Sequence, residues 1–385
     1  MAARWLALGV VIAFLAGCGG TGAPAGSGSS PAASSAAKPA ASGGASAEWD
    51  ALVAAAKKEG KLTLTVGAGG GAMARQVLPP AFKEDFGIDL EVLVSPSTQM
   101  VTRLKLEQAS HQSTMDVAIG GSDTMYLSLY GEKLIAPLKP LLINPEVLNG
   151  ANWYIGKPWF EDPEQQYILR LSNGVGGQSA INTKLVNPSE LATTADYLKP
   201  QFKGKMAMFD PLINGSGAQH AVYLQIKKGT DYIKQLYVDQ APVKTQDNRQ
   251  LADWVGRGNY PIAIAMTATS IEPLKKDGLP VEAHTPSDLP GYETAGSGLM
   301  AVLKDGPHPN ATKLFVNWMA MPKAQTIYNK AVSYASVLTT VKNDWLPDYV
   351  IPKSGVDYTD LYDWDYTVNQ YPKAFDIVRK TLGES

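Results

Sequence analysis

Cysteine is nearly absent from these 385 residues; Cys18 is the only one. A disulfide framework within the chain and a cysteine-based metal site are therefore excluded. Histidine is scarce too, and His111, His220, His284 and His308 lie far apart, at no spacing that marks a metal site. Neither sign of charge dominates: Lys and Arg number 34 against 36 Asp and Glu, a formal net charge of −2. With no long basic run either, there is no case for nucleic-acid binding. No Gly-Lys-Ser/Thr follows a glycine stretch, so a P-loop is excluded, and neither Gly-x-Ser-x-Gly nor His-Glu-x-x-His occurs. Acidic residues are scattered, and nothing in their spacing singles out a catalytic pair.

What is present begins with an apolar run, Trp5 to Ala16, preceded by Arg4 and followed by small residues. Charged start, apolar middle and small-residue end make an export signal. The run is shorter than the roughly 20 residues that span a bilayer as a helix. Within its end, Leu15-Ala16-Gly17-Cys18 resembles the lipobox of bacterial lipoproteins, which implies cleavage before Cys18 and a lipid on its sulfur. A lone buried cysteine would be the ordinary alternative. Gly19 to Ser46 is almost wholly Gly, Ala, Ser and Pro, with Lys38 its only charge. Such a tract lacks the large apolar residues of a core and reads as a tether. Residues 1–17 are thus expected to be a lipoprotein signal peptide and 18–47 a disordered linker. The remainder, from residue 48, spans about 340 residues, beyond the size at which one core stops growing, and predicts two lobes.

From Trp49 to Glu59 the apolar spacing is helical, and Gly60 ends it. "KLTLTV" predicts a strand, "GAGGGAMARQVLPPAFKEDFG" a glycine loop leading into a helix, and "IDLEVLV" a strand. "TQMVTRLKLEQASH" predicts a helix, "MDVAIG" a strand and "GSDTMYLSLYGEKL" another helix. This alternation describes an α/β lobe with a largely parallel sheet. Pro137 to Lys157 has the Pro, Asn and Gly content of irregular chain. "YILRLSNGVGGQSAINTKLV" is extended on both sides of a turn and can carry the chain between lobes. Beyond it, "GKMAMFD", "GSGAQHAVYLQIKKG" and "YPIAIAM" alternate strand and helix again.

In this order, "AAAKKEGKLTLTV", "FKEDFGIDLEVL", "DYLKPQFKGKMAMFDPLINGSG", "GNYPIAIAM", "GLPVEAHTPSDLPG" and "LKDGPHPNATKLFVNWM" resemble the extracellular solute-binding proteins of bacterial ABC importers. The group in question includes the ferric-iron, thiamine and phosphonate binders, and the likeness runs from Trp49 to the C-terminus. It implies a periplasmic-binding-protein-like type II fold: α/β, two lobes, a ligand cleft and hinge strands. Residues 48–172 and 290–385 would form a discontinuous first lobe and 173–289 the second. It also implies a monomer without cofactor, partnered by a small-molecule solute and a membrane permease. With a lipid on Cys18, the protein would sit at the extracytoplasmic face of the cell membrane, where a tether raises its concentration beside the permease.

Four turns ahead of helices are the candidate contacts. Around Gly70, Gly71 and Ala72 the backbone can approach a ligand, or the glycines simply make a turn. Ser97 and Thr98 open a helix, as contacts or as caps. Arg103, one turn inside, suits a two-pronged pair with a carboxylate or phosphonate, or an ordinary ion pair with Glu107 at i+4. Ser122 opens the next helix beside Asp123, itself a candidate cap. In the second lobe, Asn214, Gly215 and Ser216 match the family's Gly-Ser-Gly helix start, with Asp210 organising the loop and His220, a turn inside the helix, a packing or surface residue. Thr267 and Thr269 are candidate cleft hydroxyls. Tyr292 is a candidate hinge or wall residue, as are Asn173 and Gln178 at the first crossing. Helix starts converging on a cleft favour an acceptor-rich or anionic solute.

The ferric members place two adjacent tyrosines after a strand like "YPIAIAM"; here "MTATS" follows, and no Tyr-Tyr pair exists in the sequence. Around Tyr334, "AVSYASVLTT" also lacks the arginine many of them carry. Ferric iron needs hard, anionic oxygen, so the expected cargo is an organic or oxyanionic solute. A non-standard iron site using tyrosines such as Tyr126, Tyr130, Tyr223, Tyr328 or Tyr334 is the alternative, and an extracytoplasmic lipoprotein hydrolase the different-class alternative.

Overall fold

The computed structural model of the chain describes residues 42–213 and 215–383. Cys18, the signal peptide and most of the expected linker lie outside the described residues, as does Asn214. The first helix, Ser42–Glu59, begins earlier than the Trp49 start expected from apolar spacing.

Strand Lys61–Gly67 is buried at every position after Lys61, as a parallel strand covered on both faces must be. It pairs in parallel with Asp89–Ser95 on one side and Val117–Gly120 on the other. Leu299–Leu303 then pairs antiparallel to Val117–Gly120, with Ile135–Ala136 and Ile168–Arg170 on its far side. Helix Ala68–Phe86 packs on this sheet and on helix Pro322–Val332. Gly87, at φ 71, ends it by donating its N–H to the Lys83 carbonyl at 2.8 Å, the left-handed stop that glycine provides. Phe82 meets Phe315 and Trp318 edge-on, with ring centroids 5.4 and 5.1 Å apart. Each such fully buried apolar side chain contributes about 1.5–3 kcal/mol.

A second sheet has the order Val243–Thr245, Met206–Phe209, Ile262–Ile264, Ser179–Asn182, Val281–His284. Ser179–Asn182 and Val281–His284 form its antiparallel edge. Between the two sheets run short crossings: Val175–Gly176 with Tyr292–Glu293 and Thr359–Asp360, and Ser172–Asn173 with Ala335–Ser336. The molecule is a two-lobed α/β protein of the periplasmic-binding type II class.

Two departures from the sequence reading matter for the site. Gly70 and Gly71 lie in the first turn of a helix that starts at Ala68, with no glycine loop before it. The C-terminal helix Tyr371–Thr381 packs on Ser216–Lys228 and Thr230–Lys234, beside the second sheet, whereas residues 290–385 were expected with the first. Its apolar stripe, which includes the buried Ala374 and Val378, is what carries it there. Pro137–Lys157 holds three short helical turns, Lys139–Leu141, Pro145–Leu148 and Gly150–Asn152.

Candidate ligand cleft

Two adjoining cavities occupy the region of the crossings, one of about 850 Å³ and one of about 280 Å³, and Gln219 lines both. They lie where helix starts and strand ends meet. Helix Ser216–Lys228 opens after Gly215, whose φ of 134 is open to glycine alone. A Cβ at Gly217 would fall 2.4 Å from the Asp210 carbonyl oxygen, so the Gly-Ser-Gly start lets the helix close against the strand end. Gly215 consequently faces the larger cavity and Ser216 the smaller.

Thr98 and Ser122 line the larger cavity with Gly215, and Gly67 is the glycine of the first strand-helix turn that reaches it. Gly70, Gly71 and Ala72 line neither cavity. A Cβ at Gly71 would stand 2.4 Å from Val94 Cγ1, so this glycine answers to packing against the neighbouring strand. Ser97 starts its helix. Arg103 also lines neither cavity: its Nε donates to Glu107 at 2.7 Å and its Nη2 to Thr114 Oγ1 at 2.9 Å. Of the two readings open for this arginine, the structure has the i+4 ion pair. Desolvation, the largest single effect, pushes the Glu107 carboxyl up, but the hydrogen bonds from Thr114 and Arg103 and the Arg103 charge together hold it below its usual range. His220 is buried in its helix, where desolvation pushes its imidazole down to about 4.

Thr267, Thr269 and Tyr292 join Ser216 around the smaller cavity. After strand Ile262–Ile264 the chain turns at Ala265, whose left-handed φ of 62 is a strained value for alanine. That turn brings Met266 to Thr269 to the cavity wall. The Thr267 hydroxyl lies 2.9 Å from that of Thr269 and 3.2 Å from that of Ser270. In the same lining, a Cβ at Gly176 would fall 2.5 Å from the Tyr292 ring, which leans on the crossing strand. Tyr223, 5.2 Å away edge-on, donates its hydroxyl to the Gly291 carbonyl at 2.7 Å. Gln178 lines the smaller cavity; Asn173 instead accepts from the Arg170 guanidinium.

Sequence reasoning missed a tyrosine-rich part of the larger cavity's lining, made of Leu361, Tyr362, Tyr366, Thr367 and Tyr371. A signal was available, for Tyr358, Tyr362 and Tyr366 recur every fourth residue before Tyr371. Tyr362 donates its hydroxyl to the Gly296 carbonyl, and its own carbonyl accepts from Tyr126 at 2.6 Å. Tyr371 stacks on Phe375 at 5.8 Å. Burial, with the Asp123 charge second, pushes its phenol up to about 12. Burial also raises Tyr362 and Tyr366 well above the ordinary tyrosine value. Asp123 is the one charged side chain lining either cavity among the described residues, and desolvation raises its carboxyl. No group of three or more His, Cys, Asp or Glu among the described residues is arranged to hold a metal.

The family described as bacterial extracellular solute-binding proteins matches residues 80–351, well over half of the chain. No curated protein matches the sequence. Among solved structures, iron-bound HitA of Pseudomonas aeruginosa aligns with 83% of this chain and 99% of its own, at 19% identity and a TM-score of 0.61. The Trichodesmium protein IdiA (FutA), solved with iron and citrate ligands, aligns with 85% of this chain and 100% of its own, at 17% identity and a TM-score of 0.60. An ABC transporter protein from Clostridium perfringens aligns with 84% and 100%, at 14% identity and a TM-score of 0.63. At these identities the structures speak for the fold, and the family match speaks for the class of non-catalytic receptors that serve ABC importers. The chain belongs to the bacterial extracellular solute-binding proteins.

Proposed function

We propose that this receptor captures ferric iron as a small oxygen-rich chelate and delivers it to the permease of an ABC importer. The observation that carries the reading is the donor set of the larger cavity. Asp123, Tyr362 and Tyr371 supply hard oxygen, and no Lys, Arg or His lines it among the described residues. Hard oxygen is what ferric iron takes. The relatives' names lend further support, since HitA was solved with iron and the Trichodesmium protein with iron and citrate. A volume of about 850 Å³ is far more than one ion fills and suits an ion with its chelator. Burial favours the protonated phenols, and a trivalent cation reverses that preference, so capture releases protons.

A second reading is a small uncharged organic solute. Thr267 and Thr269 favour it, standing where the ferric relatives' tyrosine pair is expected and lining a cavity with no charged side chain. Titration with ferric citrate, followed by visible absorption, separates the two. A tyrosinate-to-iron charge-transfer band that saturates at one iron per protein supports the first. Absence of the band, with saturable binding of a neutral sugar or alcohol, replaces it by the second.

We also propose that the protein acts as a monomer held at the extracytoplasmic membrane face through a lipid on Cys18. Two or more acyl chains make such anchoring stable.

A further inference from the structure

The two cavities differ in chemistry, and one side chain belongs to both. The larger has the carboxyl of Asp123 and the phenols of Tyr362 and Tyr371. The smaller has no Asp, Glu, Lys, Arg or His in its lining among the described residues. Its polar groups include the hydroxyls of Ser216, Thr267 and Thr269, on residues that all keep accessible surface. The Thr267 hydroxyl meets those of Thr269 at 2.9 Å and Ser270 at 3.2 Å, an array that can both donate and accept. Val332, Leu346 and Val350 add apolar wall. Gln219 lies one turn inside helix Ser216–Lys228, is half-buried and lines both cavities. Its backbone N–H donates to the Gly215 carbonyl at 3.0 Å, but its side-chain amide has no hydrogen-bond partner among the described residues. A free donor and a free acceptor thus stand where the cavities adjoin. At about 280 Å³ the smaller cavity sits at the lower edge of the roughly 300–1,000 Å³ of small-molecule pockets. It suits one part of a cargo whose remainder fills the larger.

We propose that one cargo spans both cavities and places an uncharged, hydroxyl-bearing segment in the smaller, with Gln219 as the specificity residue where it crosses. A hydroxyl gives and takes hydrogen bonds at once, which matches a wall of hydroxyls and a free amide. An ionised group buried there would find no opposite charge on a side chain. The C–H groups of such a segment would pack on Val332, Leu346 and Val350. Helices Ser216–Lys228 and Ala268–Lys276 both begin at this cavity without a side-chain cap. Their first N–H groups are donors that a hydroxyl oxygen or an anion can take, and the test decides between the two. The inference rests on the receptor reading and not on iron. It holds for a ferric chelate with a polyol arm and for a polyol alone.

Isothermal titration of the purified full-length protein with ferric gluconate, ferric citrate, sorbitol and phosphate is the test. Gluconate carries a chain of hydroxyls that citrate lacks, and sorbitol is that chain without the carboxylate. Ferric gluconate is expected to bind about tenfold or more tighter than ferric citrate, the effect of two or three neutral hydrogen bonds. Binding of sorbitol in place of both chelates keeps the subsite and removes the iron. Thr267→Val keeps the shape and loses the hydroxyl. It should weaken ferric gluconate or sorbitol about threefold or more and leave ferric citrate unchanged. Gln219→Met keeps the length and loses the amide, and it should weaken every probe that binds by a similar factor, since Gln219 lines both cavities. Neither residue is fully buried, so Tm should stay close to that of the wild type. Ferric citrate binding as tightly as ferric gluconate, or wild-type affinity in both variants, overturns the subsite and leaves the receptor reading intact. Phosphate binding that Thr267→Val weakens also overturns it, by making the smaller cavity an anion site. Silence from all four probes removes the subsite and the ferric cargo together.

Discussion

Arg170 Nη1 lies 2.6 Å from an Asp360 carboxylate oxygen, an ion pair between residues 190 positions apart in sequence. The same nitrogen reaches Glu161 at 2.9 Å, Nη2 donates to Asn173 at 2.8 Å, and Trp159 lies 4.2 Å beneath the guanidinium. Arg170 ends a strand of the first sheet, and Asp360 belongs to a crossing strand paired with Tyr292–Glu293. One buried cation thus ties the sheet to the hinge, directly behind Tyr362, whose N–H donates to Asp360 at 2.9 Å. Replacing Arg170 by Ala leaves buried carboxylates unpaired and should cost about 3–5 kcal/mol in urea unfolding. A loss below about 1 kcal/mol would mean that the network is solvated and does not hold the hinge.

The network carries more acid than base. Arg170 is raised by Asp360 and Glu161 against desolvation. Glu161 is itself raised, from 4.5 to about 8, because desolvation outweighs its attraction to a cation it shares with Asp360. A carboxyl raised on folding binds more protons in the native state between those two values, so stability should fall as pH rises through that window. Glu161→Gln should flatten the slope. The check is urea midpoint against pH for both proteins, and equal slopes would assign the pH dependence to other groups.

Much of this fold was legible because its strands are nearly continuous apolar runs. Leu62, Leu64 and Val66 are fully buried, as "KLTLTV" suggests. The Gly-Ser-Gly start was legible for a steric reason that sequence can carry, the need to pass Asp210 and Phe209. Other parts were not. The crossings are two residues long, too short for any periodicity. The tyrosine wall comes from more than two hundred residues beyond Asp123, and nothing local says that the chain returns there. Gly71 and Arg103 each had two physical readings at equal spacing, and only Val94 and Thr114, placed by the fold, distinguish them.

Gly217 tests the helix start. An added methyl would meet the carbonyl oxygens of Asp210 and Phe209 at 2.4 and 2.7 Å, backbone atoms that cannot swing aside. Gly217→Ala should therefore destabilise the protein by about 1–3 kcal/mol. A thermal melt superimposed on the wild type would mean that the strand end yields more readily than the geometry indicates.

Ser216 tests the smaller cavity without touching the core. It is half-buried and lines the smaller cavity together with Tyr292, so Ser216→Trp fills space and leaves packing alone. Cargo affinity should drop about tenfold or more, with Tm close to that of the wild type. Undiminished affinity would confine the cargo to the larger cavity.

Cys18 tests retention. Cys18→Ala removes the only sulfur on which a lipid could be built, while the residues that line the two cavities lie well downstream. The variant should move from the membrane fraction to the soluble extracytoplasmic fraction and bind cargo with unchanged affinity. Binding is expected to be spared because it depends on residues from Gly67 onward. Uptake by cells should nonetheless fall, since an untethered receptor loses the local concentration that the anchor supplies. A variant that stays with the membrane would remove the lipid and leave the apolar run Trp5 to Ala16, uncleaved, as the anchor.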